Sequence, residues 1–216
     1  MRLFCLAFLC TAAFARPADF REVSFETSDG ARVHANLYGE GERAVVLAHG
    51  AVFNKESWEQ QAKRLSDQGL QVLAIDFRGY GDSGGGNSEN RALDILAAVR
   101  YLRDHGAERV SVVGASMGGY AAAEVSLLSK AGEIDQLVLL AAPGDVDPKK
   151  LKGDKLFIVA GGDPLVDAVR HSYEQARHPK RLEVLPGSAH AQHIFKTPEG
   201  AALEQLLVDS LVADQP

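Results

Sequence analysis

The stretch Val110-Ser-Val-Val-Gly-Ala-Ser-Met-Gly-Gly119 constrains the fold of this chain more than any other. Val110, Val112 and Val113 form an apolar, β-branched run of strand type, and Tyr120-Ala-Ala-Ala-Glu124 continues as a helix former. Between them lies Gly114-Ala-Ser-Met-Gly118. A strand that turns into a helix this quickly leaves no room for side chains two positions either side of the turn, and Gly114 and Gly118 supply that room. Ser116 is left in a strained conformation, its hydroxyl lifted above the sheet edge at a helix N-terminus whose free N–H groups favour negative charge. Strand, G-x-S-x-G and helix together form the context in which a serine nucleophile is exposed. An ordinary strand-to-helix junction is the competing reading, and the rest of the chain decides between them.

A serine hydroxyl needs a base near neutral pH, and the base needs an orienting acid. On such a fold the partners follow in the order Ser, then Asp or Glu, then His, each on a loop leaving a strand's C-terminal end. The run Lys155-Leu-Phe-Ile-Val-Ala160 leads into Gly161-Gly-Asp-Pro164, which puts Asp163 at a strand end. Arg181-Leu-Glu-Val-Leu185 leads into Pro186-Gly-Ser-Ala-His190. Ser116, Asp163 and His190 are therefore expected on one sheet edge, on loops from three adjacent strands. Asp167 falls about a turn into the next helix and points elsewhere. His193 follows His190 beside Ile194 and Phe195, where a structural part in that junction is expected. An oxyanion hole needs two N–H donors. Met117 N–H supplies one, and the loop after Ala48 supplies the other, through Ala51 N–H with Val52 N–H as the alternative.

Strand and helix signals alternate along the chain. Val23–Thr27 and Val33–Tyr38 alternate apolar and polar around Ser28-Asp29-Gly30, an opening antiparallel hairpin. Ala44–Ala48 and Leu70–Ile75 are continuous apolar runs of buried parallel type, and Gln136–Ala141 is another strand. Helices are expected over Ser57–Gln68, Glu89–His105, the segment after the elbow, Pro164–Arg177 and Pro198–Val212. A long polar loop, Asp76–Gly86, follows the strand ending at Ile75. The pattern predicts an α/β fold in a single domain: a mostly parallel sheet of about eight strands with helices on both faces.

His49-Gly50, Asp76-x-Arg-Gly-x-Gly-x-Ser83, Gly114-x-Ser-x-Gly118, Gly162-Asp163-Pro164 and Gly187-Ser-Ala-His190 stand in the order found in the serine-dependent α/β-hydrolase superfamily, which the chain resembles from about Val23 to its last helix. The resemblance implies that Ser116, Asp163 and His190 form the triad and that His49 shapes the oxyanion loop rather than acting in catalysis. It is nearest to small bacterial esterases and the smaller dienelactone-hydrolase-like proteins, although dienelactone hydrolases use a cysteine where this chain has Ser116. Larger members insert a helical lid before the acid-bearing strand, and only Pro143–Asp154 is available here. A lidless member is expected.

Met1–Ala15 reads as a secretory signal, with Arg2 at its basic start, an apolar stretch from Leu3 to Phe14, and cleavage after Ala15. The domain then covers residues 16–216, in the periplasm or outside the cell, with no membrane span after signal removal. Cys5 and Cys10 both lie in the signal, so the remainder has no cysteine for a disulfide, a thiolate or a metal. The formal charge of −6 becomes more negative once Arg2 is lost, which argues against a nucleic-acid partner. No metal and no cofactor are expected. Gly79-Tyr-Gly-Asp-Ser-Gly84 matches a dinucleotide fingerprint in letters only, since no helix opens on it. His190 and His193 have metal-ligand spacing without a third ligand nearby. The expected function is that of an exported serine hydrolase cleaving a small acyl substrate, an ester, thioester or amide. The alternative is a non-catalytic binding or interaction protein on the same fold.

Overall fold

Period-two apolar alternation around a glycine turn makes the first edge of the sheet. β1 (Arg21–Glu26) and β2 (Ala31–Tyr38) pair antiparallel across a turn in which Gly30 takes a φ of +84°. The computed structural model describes residues 19–86 and 89–212, so the expected signal and both cysteines lie outside the described residues. The other elements are β3 (Arg43–Ala48), α1 (Glu59–Ser66), β4 (Gln71–Ile75), β5 (Gly84–Gly85), α2 (Ala92–Asp104), β6 (Arg109–Ala115), α3 (Met117–Leu128), β7 (Gln136–Leu140), β8 (Asp154–Ala160), α4 (Val166–Gln175), β9 (Lys180–Leu185) and α5 (Gly200–Val212).

The sheet runs β1-β2-β4-β3-β6-β7-β8-β9, with the two-residue β5 pairing to β2. All pairings from β4 to β9 are parallel. The central strands are continuous apolar runs because helices cover both sides of them, and every residue of β4 and β7 is buried. The outer strands β1 and β9 keep polar residues toward solvent.

From β3 the chain steps one way to β4, then returns past β3 to β6 and continues to β7, β8 and β9. Right-handed crossovers therefore put α1 on one face and α2, α3 and α4 on the other. α2 packs on α3, and α5 returns to pack on α1. Between β7 and β8 the chain makes only a short connection containing a 3-10 turn, Pro148–Lys150, and no lid.

Several details differ from the sequence reading. α1, α2, α4 and α5 begin at Glu59, Ala92, Val166 and Gly200, two to three residues later than expected. Ser116 and Asp163 do not stand on neighbouring strands, because β7 lies between β6 and β8. Asp76–Gly86 is polar yet partly internal: Asp76, Phe77, Arg78 and Ser83 are all buried. Ser83 Oγ accepts the His34 amide at 2.8 Å, and β5 pairs with the start of β2. The Arg78 guanidinium grips the buried Asp94 carboxylate of α2 through Nε and Nη2, and reaches Asp29 of the β1–β2 turn at 2.7 Å. Asp76 holds the 3-10 turn Lys55–Trp58, accepting Lys55 N–H at 2.8 Å and Lys55 Nζ at 2.7 Å.

Candidate active site

In an open parallel sheet, a crevice forms where the loops from neighbouring strands leave toward opposite faces. That condition is met between β3, whose chain goes to α1, and β6, whose chain goes to α3. Ser116 follows β6 and Ala51 follows β3, so both lie at this switch point.

Ser116 has φ 49° and ψ −114°, a left-handed conformation that costs a non-glycine residue about 1–3 kcal/mol. The elbow is as tight as its glycines imply. A Cβ on Gly118 would run into the carbonyl oxygens of Ala48 and His49, and one on Gly114 into the backbone of Gly118. The same contacts seat the first turn of α3 directly against the β3 loop.

Asp163 and His190 are carried by β8 and β9, whose pairing extends beyond the strands themselves. Gly161 N–H donates to Leu185 O and Gly162 N–H to Gly187 O, both at 2.8 Å, so the two loops leave the sheet locked together. A Cβ on Gly162 would crowd Ser188. Asp163 is buried; its Oδ1 accepts the Leu165 amide at 2.8 Å and its Oδ2 faces His190 Nδ1 at 2.7 Å. His190 Nε2 lies 2.8 Å from Ser116 Oγ. An ionised carboxylate can only accept, so Nδ1 carries the proton and Nε2 is free to accept from the serine. Asp167 is exposed, and the His193 ring packs on Phe53 with centroids 4.9 Å apart.

The β3 loop is held from several sides. His49 is fully buried; its Nε2 accepts the Phe77 amide at 3.2 Å, which leaves Nδ1 to donate to Gly50 O at 2.9 Å. Burial pushes the His49 pKa below its ordinary 6.5, against the upward pull of the Gly50 carbonyl and Asp76. The Gly50 carbonyl also accepts Phe53 N–H at 3.0 Å. Because the peptide is trans, Ala51 N–H lies on the side opposite that carbonyl. Tyr80 OH donates to Ala51 O at 2.9 Å and stands edge-on to His49, with centroids 4.6 Å apart. Met117, the first residue of α3, has no carbonyl one turn back to receive its N–H.

One contributor was not foreseen from the sequence. Gln192, only 3% exposed, accepts Gly50 N–H through Oε1 at 2.7 Å and so joins the β9 loop to the β3 loop. A glutamine in a loop carries no motif, and only the folded chain brings it to Gly50. Among the described residues, no group of three His, Cys, Asp or Glu side chains is placed to hold a metal ion. No helix among them is long and apolar enough to cross a membrane.

Comparison with known proteins agrees with this architecture. The non-heme chloroperoxidase CPO-A1 of Kitasatospora aureofaciens is 33% identical over 135 residues, which cover 60% of this chain and 46% of that protein. The AB hydrolase superfamily protein YisY of Bacillus subtilis is 29% identical over 125 residues, covering 54% and 45%. The chain thus spans about half the length of the curated relatives it matches. The Pyrococcus furiosus esterase Pf2001 shares the fold, with a TM-score of 0.72 over 87% of this chain and 91% of its own, at 23% identity. The model of the Alpha/beta hydrolase family matches residues 45–154, a span that holds the β3 loop and the elbow but ends before Asp163 and His190. With half of its length matched from β3 to the start of β8, the chain belongs to the alpha/beta hydrolase family.

Proposed function

We propose that this protein is a serine hydrolase that cleaves a small ester, thioester or amide by acyl transfer. The observation that carries the reading is the continuous hydrogen-bonded chain from Asp163 through His190 to Ser116, at 2.7 and 2.8 Å. As the substrate carbonyl reaches Ser116, Oγ attacks its carbon and the serine proton passes to His190 Nε2. Asp163 steadies the imidazolium through Nδ1–H. The carbonyl oxygen takes up negative charge between the N–H groups of Met117 and Ala51, at the positive end of α3. His190 then returns the proton to the leaving oxygen, sulfur or nitrogen, and the bond to the acyl carbon breaks. Water repeats the sequence on the acyl-serine, with His190 as base, and releases the acid.

Without a helical lid, the substrate approaches from solvent, which favours small, soluble acyl compounds over aggregated lipid. Export is part of the proposal and rests on the sequence of Met1–Ala15 alone. A chain-length series of p-nitrophenyl esters, run beside aminoacyl p-nitroanilides, tests the reaction class. Turnover of at least one series by the wild type and its loss in Ser116→Ala is the expected result. Equal rates in the two proteins would refute the assignment.

A further inference from the structure

We infer that Gln192 is a positioning residue that sets the oxyanion loop and ties its geometry to the loop carrying His190. The inference rests on the reading of Ser116 as nucleophile and of Ala51 N–H as an oxyanion donor. Gln192 lies two residues beyond His190, and Ala191 between them has a φ of 49°. This left-handed residue is strained, as expected where a chain is held for function rather than for its own comfort. It turns consecutive polar side chains to separate tasks: His190 to Ser116, Gln192 to Gly50.

The orientation of the Gln192 amide is fixed at both ends by groups that cannot reverse. Gly50 N–H can only donate, so it must meet Oε1. Nε2 then donates to Ser57 Oγ at 2.8 Å, and Ser57 Oγ–H donates to Asn54 O at 2.5 Å. One side chain thus joins the amide just before the Gly50–Ala51 peptide to the 3-10 turn Lys55–Trp58. That turn is anchored independently by the Lys55–Asp76 pair and by the fully buried Trp58. The Gly50–Ala51 peptide is therefore clamped on its carbonyl side by His49 and Phe53 N–H, and on its N-terminal side by Gln192. An oxyanion hole works because its donors are already aimed before charge develops. Gln192 supplies that aim from the far side of the site without meeting the substrate.

Gln192→Met keeps the volume and removes both hydrogen bonds, whereas Ser57→Ala leaves Oε1 on Gly50 and frees only the other end. The readouts are the rate of Ser116 phosphonylation by a fluorophosphonate, and kcat, KM and the pH profile with the best p-nitrophenyl ester. Gln192→Met is expected to slow phosphonylation and kcat about 10- to 100-fold, below the loss for a whole oxyanion donor. KM and the acidic limb of the pH profile should stay in place, and Ser57→Ala should move the same rates in the same direction by less. If Gln192→Met does not fold, the Ser57→Ala rates decide. Wild-type rates in the variants would overturn the proposal, and so would a loss accompanied by a displaced acidic limb, which would put Gln192 in the service of His190 instead. A wild-type protein that is never phosphonylated at Ser116 would instead remove the reading beneath the proposal.

Discussion

His190 Nδ1 lies 2.7 Å from Asp163 Oδ2, while the other oxygen of that carboxylate is occupied by the Leu165 amide. The acid is thus buried, aimed and unable to rotate away from the imidazole. Asp163→Asn would present an amide to Nδ1 and favour the wrong tautomer. It is expected to lower kcat by about 10⁴-fold while leaving the fold intact. Asp167→Asn, on an exposed helix position, should leave kcat unchanged. Steady-state kinetics of the two variants check this; the reverse ranking would move the acid to Asp167.

His190 and His193 divide in the same way. His190→Gln is expected to cost several orders of magnitude in acylation, because among the described residues no other imidazole meets Ser116 Oγ. His193→Gln removes a ring that packs on Phe53 and should cost little activity. Pre-steady-state acylation with a chromogenic ester separates them. Comparable losses in two equally folded variants would contradict the assignment.

Arg78 carries a structural prediction. It lies between Asp94, fully buried, and Asp29, and their hydrogen bonds hold its pKa above the ordinary arginine value despite burial. Arg78→Met leaves the buried Asp94 carboxylate with the residue-78 amide but no cation, and should destabilise the protein by about 3–5 kcal/mol. Arg78→Lys should recover only part of that, since an ammonium cannot reproduce the paired contacts from Nε and Nη2. Urea midpoints at fixed pH give the answer, and a loss below about 1 kcal/mol would place this pair among ordinary surface bridges.

His49 predicts a pH dependence. Burial holds its folded pKa below 6.5, so between that value and 6.5 the unfolded chain binds more protons than the folded one. Its contribution to stability is complete above about pH 6.5 and is lost as pH falls through the folded pKa. Urea midpoints between pH 8 and 5 should decline on the acid side, and less steeply in His49→Asn. An identical acid slope in both proteins would exclude His49 as a source of it.

Much of this arrangement is legible in the sequence because local chemistry forces it. Gly114 and Gly118 announce the elbow because no larger residue fits at either: a Cβ on Gly118 meets Ala48 and His49, and one on Gly114 meets Gly118. Asp163 and His190 are readable because each follows a strand-type run that gives way to small residues. What escapes is long-range. β5 is two glycines with no strand propensity, and it pairs with β2 only because Arg78 and Ser83 bind the loop there. Arg78, Asp94 and Asp29 are scattered charges until the chain closes, and Gln192 is one polar loop residue among many. The interposed β7 follows from sheet order, which chain order alone does not give.

Activation of Ser116 by His190 is read from the intact-protein mass after treatment with a fluorophosphonate. A single phosphonyl adduct is predicted, formed as Oγ displaces fluoride, mapping to the peptide that contains Ser116. It should be absent in Ser116→Ala and strongly slowed in His190→Gln. Absence of any adduct on the folded wild-type protein, or an adduct on another residue that persists in Ser116→Ala, would exclude Ser116 as the nucleophile.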